Sequence, residues 1–387
     1  MPPDPLRGAA SVVGVAESRL GEVGPAVAPL DLAAEAAADA LADAGLRIAD
    51  VDGLFSASAY YGMAGLNLGE YLGVRPQYSD STNMGGASFV AHLHHAAAAI
   101  AAGRCEVALI AYGSTQRSDG GRLVSLSSVE PSPLEDPYRP RYPITMYALA
   151  AARHMHDLGT TREQLAEVAV AARGWARLNP AAFMREPLTV EEVLASRMIS
   201  SPLTVRDSCL VTDGGGAVVV TSTERARTLR RPPVALLGAG EAHWHRSIAR
   251  MGDLTVTAAT ESGARAYAMA GLGPGDVDVL QLYDAFTITP ILFLEDLGFC
   301  EKGEGGAFVA GGRIAPGGEL AVNTNGGGLS HTHPGMYGIF TIIEAVRQVR
   351  GEAGERQQSG VHVALAHGNG GVLSGHATAI LGALETI

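Results

Sequence analysis

Apolar, β-branched runs alternate with alanine-rich amphipathic stretches along most of this chain, and glycine punctuates the joins. This alternation constrains the fold more than any other feature. Strands separated by helices pair into parallel or mixed sheets whose faces the helices cover. In the first half, Ala10 to Val15 reads as a strand and Asp31 to Leu46 as a helix. A second helix, from about Gly86 to Ala102, runs into a strand over Glu106 to Ala111. The rhythm breaks from Gln116 to Ile199, where Pro131, Pro133, Pro137, Pro140 and Pro143 crowd ahead of polar helices such as Arg162 to Asn179. That stretch reads as an inserted lid or cap. The alternation resumes with strands Ala217 to Thr221 and Pro233 to Gly238, helix Ala258 to Ala270 and strand Val277 to Tyr283. A helix near Gly335 to Val349, strand Val361 to His367 and the closing segment Ala377 to Leu384 follow. Each half has a strand ending at a glycine-rich turn and a long helix starting just after another, which suggests a duplicated α/β/α unit.

With 387 residues the chain exceeds one compact core. Its 47% hydrophobic and 18% charged residues fit a well-buried globular enzyme. A net charge of −12 argues against nucleic-acid binding, which needs a dense basic surface. Arg139, Arg141, Arg153 and Arg173 in the insert remain candidates for meeting small anions such as coenzyme A phosphates, or form a solvated face. Cys105, Cys209 and Cys300 are far apart and odd in number, so a reduced cytoplasmic setting is expected. No apolar run approaches the roughly 18–20 residues of a membrane span, and no basic-then-apolar leader follows Met1.

Four stretches carry the chemistry. Ser81-Thr-Asn-Met-Gly-Gly-Ala-Ser-Phe89 opens a helix, where backbone N–H groups and a positive dipole end converge. Ser201-Pro-Leu-Thr-Val-Arg-Asp-Ser-Cys209 is followed by Thr212-Asp-Gly-Gly-Gly-Ala217. Leu282-Tyr-Asp-Ala-Phe286 ends a strand. Asn323-Thr-Asn-Gly-Gly-Gly-Leu-Ser-His-Thr-His-Pro-Gly-Met-Tyr-Gly338 precedes a later Ala366-His-Gly-Asn-Gly-Gly371.

Together and in this order these stretches resemble the thiolase superfamily, in its lipid-transfer-protein (sterol-carrier) branch. The resemblance implies an α/β thiolase fold in which duplicated α/β/α halves form a five-layered α-β-α-β-α sandwich with an inserted loop domain. The first half would comprise residues 1–115 and 200–228, the insert 116–199 and the second half 229–387. It also implies the site. The family's nucleophilic cysteine position is occupied by Met84, beside Asn83, and a thioether has no proton to lose and forms no thioester. The family's second cysteine, an acid/base in a Cys-x-Gly-Gly turn, matches His367, near Gly370. The family's Asn-Glu-Ala-Phe or His-Asp-Cys-Phe strand end stands here as Tyr283-Asp284-Ala285-Phe286. The His-Pro histidine is kept as His333.

Loss of the nucleophile leaves the other thiolase task, stabilising a thioester enolate. Retro-aldol cleavage of a β-hydroxyacyl-CoA needs only that and a base. The substitution set resembles the aldolase members of bacterial steroid side-chain degradation, which release a ketosteroid and a short acyl-CoA such as propionyl-CoA. Tyr283, Tyr337, His333 and His367 are the candidate catalytic residues. His331, Asn325 and Asp284 are candidate near-site groups, with Asp284 expected to order the strand end. Which tyrosine is base and which acid stays open. A phenol of pKa about 10 acts as base only if a neighbour such as His331 or His367 tunes it. Each of Tyr283, Tyr337 and His367 also reads as a packed residue with no chemistry. No cofactor is implied, because the substrate is itself a coenzyme A thioester. No metal is expected, because the pairs His92/His94/His95, His154/His156 and His243/His245 lack a ligand pattern. The resemblance implies a homodimer core and a partner with an OB-fold and zinc-ribbon element linked to an enoyl-CoA hydratase, in an α2β2-type assembly. A thiolase with another nucleophile and a non-catalytic scaffold are the competing readings.

Overall fold

The structure is a computed structural model that describes residues 4–60, 62–120 and 135–387. The turns expected at Pro131 and Pro133 lie outside the described residues. Strands β1 (Ala10–Glu17), β2 (Gly53–Phe55), β3 (Tyr78–Asp80) and β4 (Val107–Ser114) belong to the first half. A short pair, β5 (Met198–Ser200) and β6 (Leu203–Thr204), precedes β7 (Gly214–Ser222). The second half holds β8 (Val234–His243), β9 (Val279–Leu282), β10 (Ala321–Val322), β11 (Val363–Gly370) and β12 (Gly375–Gly382).

The long sheet runs β10-β9-β11-β12-β8-β1-β7-β4-β2-β3. It is two five-stranded sheets that meet only at Ser11↔Ala235 and Val12↔Val234. Counted within its own half, each sheet has the order third, second, fourth, fifth, first. Each has the same directions too: the first two pairings are parallel and the last two antiparallel. The duplication is therefore explicit in topology.

The principal helices of the first half are α1 (Pro29–Ala44), α2 (Ala64–Leu72) and α3 (Ser88–Ala101), and those of the insert are α4 (Ile144–Leu158) and α5 (Arg162–Arg177). The second half adds α6 (Ala259–Ala270), α7 (Ile288–Asp296) and α8 (Gly338–Arg350). Helix α1 covers the outer face of the first sheet and α6 the outer face of the second. Helices α3 and α8 pack together between the two sheets, completing five layers.

Local sequence explains these elements. Helix α1 starts with Pro29, whose missing N–H costs nothing there, and the Asp31 carboxylate accepts the Ala28 N–H at 2.7 Å. It ends at Gly45 in the left-handed region. Its buried face is alanine because the helix lies almost on the strand. A Cβ on Gly14 of β1 would come 2.0 Å from the Ala40 carbonyl oxygen. The equivalent contact recurs in the second half, where a Cβ on Gly238 of β8 would come 2.1 Å from the Ala266 carbonyl oxygen. Alanine on the helix and glycine on the strand are one packing solution used twice.

Helices α4 and α5 of the insert are tied to the second half. His154 sits between Thr160 Oγ1 (2.8 Å) and Glu295 Oε2 of α7 (3.0 Å). Asn179 donates to the Asn325 carbonyl at 2.9 Å. Arg173, a candidate for binding phosphate, is buried instead and donates to Ser330 Oγ and the Glu186 carbonyl, both at 2.9 Å. Arg153 pairs with Asp157 of its own helix. Among the described residues no helix is long and apolar enough to cross a membrane, and all three cysteines are free thiols.

Candidate active site

The two central helices begin at the same place. Gly85 and Gly86 at the start of α3, and Gly335 and Met336 at the start of α8, line one cavity of about 820 Å³. Two positive dipole ends therefore face it, an arrangement suited to a developing anion.

Met84 lies on the cavity wall in the turn from β3 into α3. Side-chain hydrogen bonds hold the turn. Asn83 Nδ2 donates to the Ser58 carbonyl (3.1 Å), Asn83 Oδ1 accepts the Gly85 N–H (3.1 Å), and Ser88 Oγ accepts the Met84 N–H (2.9 Å). The glycine turn after β11 closes on it so tightly that a Cβ on Gly370 would overlap the Met84 carbonyl oxygen at 1.4 Å.

Tyr283 follows β9, and its N–H donates to the His367 carbonyl at 3.1 Å. Its ring lies on Gly86, where a Cβ would come 2.1 Å from a ring carbon. The Tyr283 hydroxyl is 3.0 Å from His333 Nε2 and accepts the Tyr337 N–H at 3.2 Å. The Tyr283 and His333 rings meet edge-on with centroids 5.6 Å apart. Burial pushes the Tyr283 phenol well above its usual pKa and pushes His333 down to about 4. The resting pair is thus neutral phenol and neutral imidazole. His333 is held by its own N–H to Thr212 Oγ1 at 2.9 Å, and its Nδ1 has no partner among the described residues.

Of the residues expected at the site, Asn83, Met84, Tyr283, His333 and Gly370 line the cavity. The other five stand behind it. The Tyr337 hydroxyl turns away to donate to Asn325 Oδ1 at 2.9 Å, and its ring stacks against His333 and Phe340. Tyr337 therefore serves Tyr283 through its backbone N–H, and the expected catalytic use of its phenol is corrected. Asn325 also accepts the Gly327 N–H (2.8 Å). Asp284 orders the loop as expected, accepting the N–H groups of Gly328 (2.6 Å) and Leu329 (3.2 Å); burial lifts its carboxyl to about 7. His331 pairs with Glu17 at 3.0 Å, against Arg347 on the other carboxylate oxygen at 2.9 Å, and so is not placed to tune a tyrosine.

His367 is the second correction. It lies between Phe293 and His376, with Nδ1 2.9 Å from Thr378 Oγ1 and Nε2 3.1 Å from His376 Nδ1. Side chains alternate along β11, so the position facing the start of α3 is Gly368, where a Cβ would come 2.9 Å from the Ala87 Cα. Counting back from Gly370-Gly371 in a Cys-x-Gly-Gly pattern also reaches Gly368. The match to His367 was one residue out.

The cavity has walls that motif reading did not anticipate. Tyr142, Ile144 and Tyr147 come from the insert, and Cys209, Leu210 and Val211 from the loop after β6. Asn369 donates to the Tyr147 hydroxyl at 2.8 Å. The adjacent Gly-Gly pair was the only signal for Asn369; nothing in the insert marked its tyrosines. Cys209 faces the cavity, but burial raises its thiol far above the range in which a thiolate forms. Asp213 is structural, accepting the N–H groups of Val23, Arg117 and Ser118.

Replacing Tyr337 by Phe is expected to leave kcat within about tenfold of wild type. It should cost about 0.5–1.5 kcal/mol of stability through the one lost hydrogen bond, since Asn325 Oδ1 keeps the Gly327 N–H, measurable by urea denaturation beside steady-state assays.

A family profile described as thiolase C-terminal domain-like matches residues 240–383. An acetyl-CoA acetyltransferase of Methanothermobacter thermautotrophicus is 34% identical over 93% of this chain and 96% of that protein. The 17-hydroxy-3-oxo-4-pregnene-20-carboxyl-CoA lyase of Mycobacterium tuberculosis is likewise 34% identical, over 96% of this chain and 99% of its own. The solved structure of an Ltp2-ChsH2(DUF35) aldolase superposes with a TM-score of 0.88 at 33% identity, covering 98% of this chain and 99% of that one.

Proposed function

This chain belongs to the thiolase superfamily, in the group that includes the steroid side-chain-cleaving aldolases, and from that premise we propose that it cleaves a β-hydroxyacyl-CoA by retro-aldol chemistry. The observation that carries the reading is Met84 at the nucleophile position, on the wall of the cavity that holds the Tyr283–His333 pair. A thioether cannot take up an acyl group, and the nearby Cys209 thiol is held protonated. The likeness to an acetyltransferase therefore extends to the fold and to the thioester site.

The Tyr283 oxygen is flanked by the Tyr337 N–H and His333 Nε2, so it can pass its own proton to the imidazole while accepting that of the substrate β-hydroxyl. The Cα–Cβ electron pair then moves onto Cα, giving a ketone and a thioester enolate. The N-terminal ends of α3 and α8 stabilise the enolate oxygen. The imidazolium returns the proton through the phenol to Cα, releasing the shorter acyl-CoA. No proton is gained or lost overall, and the thioester supplies the electron sink, so the step calls for no further cofactor. A steroid is the favoured substrate class because the relative acts on 17-hydroxy-3-oxo-4-pregnene-20-carboxyl-CoA. Apolar walls at Tyr142, Ile144, Leu210, Val211 and Phe286 suit a bulky ring system.

The proposal extends to assembly. Strand β3 is an open sheet edge beside the exposed Met63, Leu66 and Tyr71, which suits a homodimer core. The two-protein name of the Ltp2-ChsH2(DUF35) aldolase supports a second partner, for which we propose an OB-fold protein, and the free cysteines fit a reducing cytoplasm.

The decisive assay offers the purified enzyme, with its partner where needed, 17-hydroxy-3-oxo-4-pregnene-20-carboxyl-CoA with and without free coenzyme A. Ketosteroid and propionyl-CoA are expected at equal rates in both. Ketone release that strictly requires free coenzyme A would return the chain to the acyltransferases.

A further inference from the structure

A second set of ionisable side chains lies behind the cavity, unused by any step above. His95, midway along α3, has Nδ1 2.6 Å from Asp80 Oδ2 and Nε2 2.9 Å from Glu241 Oε1. An ionised carboxylate only accepts, so a ring that satisfies one at each nitrogen donates from both and is an imidazolium.

The two carboxylates lead to two stretches of the cavity wall, one from each half. Asp80 ends β3, and its Oδ1 accepts both the N–H and the hydroxyl of Thr82, each at 2.8 Å. The Thr82 carbonyl lies 3.0 Å from His92 Nε2. Asn83 and Met84, which line the cavity, come next in the chain. Glu241 lies on β8 just before His243 and His245, which line the cavity from the second half. His94 Nδ1 shares Glu241 Oε1 at 3.1 Å.

We propose that His95 is a positioning residue for the active site, its imidazolium clamping the Asp80–Met84 wall of the first half to the Glu241–His245 wall of the second. The clamp sets how closely the turn bearing Met84 and the ends of α3 and β8 approach one another, and so where the thioester lies relative to Tyr283. It rests on the reading of this cavity as the place of carbon–carbon cleavage.

The charged and titratable groups around the ring are His92 and His94 on α3, Asp80 on β3 and Glu241 on β8. From α6, the Arg265 guanidinium donates to the Glu241 carbonyl. The hydrogen bonds to Asp80 and Glu241 raise His95 to about 9. Its folded pKa lies above the unfolded value of about 6.5, so the clamp is present at neutral pH and is lost as pH rises through about 9.

The test compares His95→Gln and His95→Arg in the full enzyme, using the same hydroxylated steroid thioester and hydrogen exchange of residues 81–86 and 242–246. His95→Gln is expected to lower kcat about tenfold with KM within about threefold, as misplacement of a reacting group does, and to speed exchange in both segments. Wild-type kcat should fall above pH 9, whereas His95→Arg, which keeps its charge, should retain activity there. Unchanged exchange in His95→Gln, or a kcat within twofold of wild type in that folded variant, overturns the clamp. If the wild-type enzyme does not cleave the thioester, the retro-aldol reading falls, and the exchange data alone decide the clamp.

Discussion

Replacing Tyr283 by Phe is expected to lower kcat by about 10²- to 10⁴-fold, the range typical of losing a positioned acid/base group. The change removes one oxygen atom and leaves the ring in place on Gly86. Among the described residues that oxygen alone both borders the cavity and contacts His333 Nε2 and the Tyr337 N–H, so none of them takes over the relay. His333 Nε2 has no other hydrogen-bond partner among the described residues, and burial that holds it at about 4 makes it a poor base for a substrate hydroxyl acting alone. Thioester affinity should stay within about threefold, because the phenol is not the main source of binding area. Stability should fall by about 1–3 kcal/mol as the Tyr337 N–H and His333 lose a partner. Steady-state kinetics, thioester titration and urea unfolding of one preparation separate the three effects. A kcat within threefold of wild type would remove Tyr283 from the mechanism and favour the scaffold reading.

The sequence patterns reached the duplicated sheets because long strands and half-buried helices carry periodic signals. Helix α7 escaped, since all nine of its residues are buried and no polar face marks a period. Strands β2, β3 and β10, two or three residues long, are too short to show alternation. At the site, residues in fixed motifs next to glycine turns were readable: Met84, Tyr283, His333 and Gly370 all meet at the cavity. What failed was direction. The side chains of His367 and Tyr337 point away from the cavity, and a motif match carries no information on which way a side chain points. The same limit hid Tyr142 and Tyr147, which reach the cavity only because the insert folds back over it. Gly86 makes room for the Tyr283 ring, and both Tyr283 and Met84 line the cavity.

The largest effect on stability should come from a carboxylate far from any substrate. Glu344 on α8 is fully buried and accepts Arg356 through both oxygens, Nε to Oε1 and Nη2 to Oε2, each at 2.9 Å. Its Oε1 also accepts the Thr324 hydroxyl at 2.7 Å, and that hydroxyl is met by Gln281 and Gln348 at 3.0 Å. The network fixes the residue just before Asn325, whose side chain holds the Tyr337 hydroxyl. Arg356→Met removes the counter-charge and leaves a desolvated carboxylate, at an expected cost of about 3–5 kcal/mol. The double variant Glu344→Met with Arg356→Met removes both charges and should recover most of that loss, because a buried ion pair often contributes little more than apolar packing of similar volume. Thr324 then keeps Gln281 and Gln348 as partners, so the turn carrying Asn325 should survive in the double variant. Urea unfolding of the two variants beside wild type decides the point. A single variant within 1 kcal/mol of wild type, or a double variant no more stable than the single, would show that the pair does not govern this part of the second half.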